Sequence, residues 1–120
     1  MAAPQRTAAQ VSGGNGEDRA VELLERHGLS IVARNYRTRF GEIDIIARDG
    51  DSLVFVEVRM RAKPGYGGAA GSIGPHKQSR IASAARLYLM QTHCRLPCRF
   101  DVVTIESGEA KWMRAAFSLE

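Results

Sequence analysis

The sequence predicts an α/β domain, a central mixed β-sheet flanked by helices in the order αβββαββ. Three observations carry that expectation. Helical and strand periodicities alternate along the chain, Asp49-Gly50 marks a hairpin between two apolar runs, and a glycine-rich connection ending at Pro75 separates the third strand from a second helix. A chain of 120 residues, 44% of them apolar, suffices for one such domain with a core that needs no disulfide or metal staple.

The elements follow in order. Residues 1–15 are rich in Ala, Gln, Gly and Ser and lack periodicity, so they are expected to form a disordered tail, leaving 16–120 as the single domain. Asn15 opens the first helix, with Asp18 three residues on as in a capping box. Ala20, Val21, Leu24 and His27 recur at helical spacing, and Gly28 ends the helix. Strands are expected over 29–36, 42–48 and 52–60. The third carries Val54, Val56 and Val58 on one face and Leu53 and Phe55 on the other, the pattern of a central strand buried on both sides. Residues 61–74 hold five glycines and read as a mobile loop, with Tyr66 at its tip available to stack on a base. Pro75 suits the first turn of a helix over 75–92, whose core stripe is Ile81, Ala84, Ala85, Tyr88 and Leu89. Strands over 99–105 and 110–116, joined at Ser107-Gly108, complete the sheet.

Charge and composition exclude several classes. No stretch approaches the roughly 18 consecutive apolar residues of a membrane span, and residues 1–16 lack the apolar core of a secretory signal. Two cysteines cannot form a disulfide scaffold, so a cytoplasmic protein with reduced thiols is expected. His93, Cys94 and Cys98 give only three ligands at an unusual spacing, which disfavours structural zinc. Gly65-Tyr66-Gly67-Gly68-Ala69-Ala70 fits a dinucleotide fingerprint by letter alone: no helix opens on it and no acidic residue follows at the required distance. The net charge is +4, with 17 Lys and Arg against 13 Asp and Glu, a balance compatible with a phosphate-bearing partner.

The hairpin from Gly41 to Arg59 carries the chemistry. With Asp49-Gly50 as the two central turn residues, Glu42 faces Glu57; with Gly50-Asp51, Asp44 faces Glu57. In either register, period-two alternation puts Glu42, Asp44, Glu57 and Arg59 on one face. Like charges opposite each other in a sheet are unfavourable, and a divalent cation between them removes the conflict. Oxygen ligands alone point to Mg²⁺ or Mn²⁺. The competing reading pairs Glu57 with Arg59 or another arginine and leaves Glu42 and Asp44 exposed at a strand start. Around the hairpin, Arg34, Arg37 and Arg39 precede it, Arg61 and Lys63 follow it, and Lys77 and Arg80 begin the next helix. These clusters are placed as a phosphate-binding rim requires. Asp101 is expected to play a structural role on its buried strand.

Several strings resemble the YraN-like family of small bacterial proteins: Gly41-Glu42-Ile43-Asp44, Phe55-Val56-Glu57-Val58-Arg59, the Tyr66-Gly67-Gly68-Ala69-Ala70 loop, Lys77-Gln78, Ala85-Arg86-Leu87-Tyr88-Leu89 and Cys98-Arg99-Phe100-Asp101-Val102-Val103. The resemblance spans residues 16–117. It implies a restriction-endonuclease-like fold of the PD-(D/E)XK nuclease superfamily, distantly similar to archaeal Holliday junction resolvases. It further implies Asp44 and Glu57 as metal-binding acids, Glu17 as an additional helical acid, Gln78 as a polar residue of the following helix, and Arg59 in the position the superfamily fills with lysine. Arginine is effectively never deprotonated, so it cannot serve as a general base, although it can grip phosphate. The expected function is DNA binding with Mg²⁺- or Mn²⁺-dependent phosphodiester hydrolysis, on branched or single-stranded substrates. Asp44, Glu57 and Arg59 are the catalytic candidates. Glu17 and Glu42 complete the metal shell, and Arg37, Arg39, Arg61, Lys63, Lys77, Gln78 and Arg80 contact nucleic acid. A homodimer is in keeping with the resolvase likeness. The alternatives are a catalytically silent binding module of the same fold and a small adaptor whose basic face meets an acidic protein.

Overall fold

The expected order αβββαββ is the observed one, in a computed structural model that describes residues 8–60 and 73–118. The elements are α1 (Ala8–Arg26), β1 (Ser30–Arg37), β2 (Glu42–Asp49), β3 (Ser52–Arg59), α2 (Pro75–Thr92), β4 (Cys98–Glu106) and β5 (Glu109–Phe117). The strands form one sheet in the order β1-β2-β3-β4-β5. Hairpin neighbours run antiparallel, while β3 and β4 are parallel because α2 crosses between them. This is the mixed sheet of a restriction-endonuclease-like fold, with one helix on each face.

β3 is the axis of the core. On one face Leu53 and Phe55 pack with Ile43, Ile46, Phe100 and Val102 under Ile81, Ala84 and Ala85 of α2. On the other, Val54 and Val56 pack with Ile45, Ala47, Val103 and Ile105 under Ala20 and Leu24 of α1. Each fully buried Val or Phe contributes roughly 1.5–3 kcal/mol. Tyr88 and Leu89 extend the α2 stripe as partly buried residues, as the spacing predicts.

The helix ends follow from local chemistry. Gly74 caps α2 in extended conformation, Pro75 occupies the first turn, and His93 closes the helix in the left-handed region (φ 53°). α1 begins at Ala8 rather than at Asn15. Alanines favour the helix, and the Gly13-Gly14 pair, at a cost of about 1 kcal/mol per glycine, does not stop it. Asp18 consequently sits inside the helix instead of in a capping box, and accepts a hydrogen bond from Arg34 Nη2 at 2.8 Å. Residues 1–7 of the expected tail, and residues 61–72 of the expected mobile loop with Tyr66, lie outside the described residues.

A second buried anchor lies on β4. Asp101 is fully buried and accepts hydrogen bonds from Arg99 Nε, Trp112 Nε1 and the Ala115 N–H at 3.0, 2.9 and 2.9 Å. Arg99 reaches on to Asp49 at 3.0 Å, joining β4 to the end of β2. The β4–β5 register shifts between Phe100 and Val102, so Asp101 fills a bulge in which Ala115 takes a φ of 52°. Its role is structural, as the sequence leads one to expect. Asp101→Ala should lower the unfolding free energy by about 2–4 kcal/mol, since it takes the acceptor from the Trp112 and Ala115 N–H groups and leaves the half-buried Arg99 with Asp49 alone. Urea denaturation measures this, and a loss below about 1 kcal/mol would show that β5 is held without the carboxylate.

Candidate functional site

The hairpin register decides which carboxylates meet. Ile45 pairs with Val56, Ile46 with Phe55 and Asp49 with Ser52, so Gly50 and Asp51 form the turn. Gly50 takes the left-handed φ of 58° that a two-residue hairpin favours. The same register, continued, sets Asp44 opposite Glu57. The regular ladder stops at Ile45, and beyond it the Val58 N–H donates to Asp44 Oδ2 at 2.8 Å, replacing a backbone acceptor with a side chain.

Asp44 is also where strand alternation breaks. Ile43 and Ile46, three residues apart, belong to the same core cluster, whereas Ile45 belongs to the opposite one. On the neighbouring strand, between the pairs Arg34–Ile45 and Tyr36–Ile43, Asn35 adopts a φ of 54°. β1 and β2 are thus irregular at the site, whereas the β2–β3 ladder is regular from Ile45 to Asp49.

Glu57 shares its face with Leu53 and Phe55, and that face lies under α2. The carboxylate is only 4% exposed, and Lys77 Nζ from the first turn of α2 lies 2.6 Å from its Oε2. Arg59 Nη1 lies 3.9 Å from the same oxygen. The Asp44 carboxyl is pushed up to about 7, first by burial and then by the Glu57 carboxylate, against the Val58 N–H and Lys77, which act the other way. Two neighbouring acids in so buried a place can share a proton or take a cation between them in competition with Lys77.

The remaining expected site residues divide. Glu42 does not join Asp44 and Glu57: once alternation breaks it points to solvent and pairs with Arg37 at 3.3 Å. Glu17 does not join them either, because Arg34 Nε and Asn35 Nδ2 take its Oε1 at 2.9 and 3.1 Å. Among the described residues no group of three or more His, Cys, Asp or Glu is gathered as for a metal cage. Gln78 donates its amide to the Ile73 carbonyl at 2.9 Å and so anchors the chain entering α2. Arg34 is taken up by Glu17 and Asp18, tying β1 to α1. Arg39 stacks over Phe40 at the β1–β2 turn. Arg61 and Lys63 lie outside the described residues.

Arg37, Lys77 and Arg80 do come together. With Thr38, Gly41, Glu42 and His76 they line a cleft of about 460 Å³ between the β1–β2 turn and the start of α2. Sequence reasoning assigned Lys77 to a rim and missed its contact with Glu57. The signal was present: Lys77 precedes Ile81 by four residues, which puts both on the helix face that covers Phe55 and Glu57.

The profile of the family described as "Uncharacterised protein family UPF0102" matches residues 16–105. A UPF0102 protein of Methylibium petroleiphilum is 54% identical over 112 residues, covering 88% of this chain and 92% of the relative. One from Alkalilimnicola ehrlichii is 49% identical over 118 residues, covering 96% and 94%. One from Herminiimonas arsenicoxydans is 47% identical over 111 residues, covering 92% and 90%. This is the YraN-like family that the motifs resemble.

The Asp44 shift fixes a pH dependence. The folded chain holds that proton more tightly than the unfolded chain, whose carboxyl titrates near 4. The favourable contribution is therefore complete in acid and is lost as pH rises from about 4 to about 7. Asp44→Asn keeps the acceptor for Val58 and removes the charge. Without metal it should be about 1–3 kcal/mol more stable than the parent at pH 8, with the gap closing near pH 4. Denaturation curves at the two pH values test this; a variant less stable than its parent at pH 8 would show that the Asp44 charge is favourably paired.

Proposed function

Since the chain belongs to the UPF0102 family, whose description assigns no activity, we propose from the site itself that the protein binds nucleic acid and hydrolyses DNA phosphodiester bonds at Asp44 and Glu57, with branched or single-stranded DNA as substrate. The observation that carries this reading is the burial of two facing carboxylates at an irregular point of the sheet, beside a basic cleft. Their repulsion burdens the fold, and such burdens concentrate at functional sites.

The donor set fits a hard divalent cation. Asp44 and Glu57 offer only oxygen, and Mg²⁺ is commonly held by one or two carboxylates with the rest of its shell from water and substrate phosphate. Such a cation would supply Lewis-acid stabilisation of charge on the phosphoryl oxygens. The chain's own residues do the rest. Lys77 and Arg59, both beside Glu57, are placed to grip non-bridging phosphate oxygens. Arg59 stays protonated throughout, so it orients phosphate and does not accept a proton. Arg37 and Arg80 extend the contact along the backbone. With two carboxylates and no third acid gathered there among the described residues, cation affinity should rise when nucleic acid is present.

The second reading, a catalytically silent binding module, is favoured by Arg59 in the motif's lysine position. Cleavage assays with Mn²⁺ on junction, single-stranded and duplex DNA separate the two. The wild type should cut at least one substrate, Asp44→Asn and Glu57→Gln should abolish cutting, and Arg59→Lys should retain or increase it. DNA affinity should fall about tenfold or more between about 50 and 200 mM salt, as counterion release requires. Binding with no cleavage by wild type or Arg59→Lys would establish the silent module; no binding at low salt would favour an acidic protein partner.

A further inference from the structure

We propose that Lys77 is an exchangeable counter-ion of Glu57: it yields the carboxylate to a divalent cation and turns into the cleft to meet phosphate, so that cation and nucleic acid promote each other's binding. The inference rests on the metal-dependent reading above and adds how its two ligands are coupled.

The ion pair is lopsided. The Glu57 side chain is 4% exposed, whereas that of Lys77, 2.6 Å from its Oε2, is 47% exposed and also lines the cleft. One side chain thus spans from the open cleft to the buried carboxylate. Its ammonium is a compact charge on a flexible stem, without the fork by which arginine locks both oxygens of a carboxylate. The permanent clamp in this fold is built the other way. Asp101 is held by Arg99 Nε on both oxygens and by the Trp112 and Ala115 N–H groups. Arg59 reaches the same Glu57 oxygen only at 3.9 Å, so the close contact open to exchange is that of Lys77.

Charge gives the exchange its direction. A dication held by Asp44 and Glu57 repels the ammonium that touches Glu57, and does so strongly because the carboxylate is buried. With Arg37 on Glu42 and Lys77 on Glu57, the three cations of the cleft, Arg37, Lys77 and Arg80, face two carboxylates and leave one charge in surplus. When Lys77 gives up Glu57, that surplus becomes two, and phosphate is drawn more strongly. Linkage requires the converse: a phosphate that draws Lys77 away tightens cation binding by the same factor. The exchange asks for no backbone movement. Gln78 ties the start of α2 to the Ile73 carbonyl, and Gly41 lies so near the Arg80 backbone that a side chain there would meet its carbonyl oxygen at 2.9 Å. Rotation about the Lys77 side chain is enough.

Free Mn²⁺, counted by its electron paramagnetic resonance signal, gives cation affinity without any dependence on cleavage. Lys77→Gln removes the competitor and should bind Mn²⁺ about tenfold more tightly than the wild type. Arg95→Gln, an equal loss of charge at an exposed position near the other end of the β3–β4 pair, should change that affinity less than about twofold. A second measurement uses the wild type alone and therefore decides the matter even if the variant does not fold. The sequence has only three lysines, Lys63, Lys77 and Lys111, so brief acetylation read by mass spectrometry resolves each. Saturating Mn²⁺ should raise labelling of Lys77 several-fold relative to the exposed Lys111, and a single-stranded oligonucleotide added with the Mn²⁺ should lower it again. Equal Mn²⁺ affinity in wild type and Lys77→Gln, or Lys77 labelling unmoved by bound Mn²⁺, overturns the exchange and leaves the metal site standing. Labelling that rises with Mn²⁺ and stays high with the oligonucleotide overturns the coupling to nucleic acid. Mn²⁺ that binds neither protein overturns the exchange and the carboxylate pair as a metal site together.

Discussion

Glu57 is an acid on a strand covered from both sides, and that constraint organises the site. The apolar faces of β3 bring α1 to one side and α2 to the other, leaving the carboxylate only 4% exposed. A charge so placed must meet a counter-charge or shed itself. α2 meets the demand by setting Lys77 one turn ahead of Ile81, and Arg59 adds a longer contact from the same strand. Asp44 has weaker compensation, so its proton affinity rises. Core packing and site chemistry are therefore two results of one sequence run, Leu53 to Arg59.

The sequence made the elements legible because their signals are local. Pro75, Gly28 and the alternation of β3 act within a few residues, and the observed bounds lie within a residue or two of the expected ones except at the start of α1. The hairpin register stayed open between two turns because Asp49-Gly50 and Gly50-Asp51 are equally good turn chemistry; the structure selects the latter. The carboxylate set was harder to read. Strict alternation places Glu42 beside Asp44, but the strand breaks phase at Asp44, and no pattern in the sequence announces a side chain taking over a backbone hydrogen bond. Glu17 is drawn away by Arg34 and Asn35 across the α1–β1 packing, a contact between residues 17 and 18 apart in the chain.

The arginines show why net charge is a poor guide to a binding surface. Arg34 and Arg99 are structural, each clamped between two acids from other parts of the fold or its own strand. Arg37 and Arg80 flank the cleft, where their cationic groups are accessible. In composition these four are indistinguishable. Their division follows from how many carboxylates the packing supplies, two each for Arg34 and Arg99 and Glu42 alone for Arg37, which only the three-dimensional arrangement decides.

The irregularities of the two outer strands have a consequence for how copies of this chain can meet. β1 carries a register shift between Ile31 and Ala33 and a left-handed residue at Asn35; β5 carries the Asp101-filled bulge and a left-handed Ala115. Neither border offers the flat, continuous row of amides and carbonyls that would template a further strand. The sheet is thus terminated at both ends by its own backbone defects, which guards it against open-ended polymerisation.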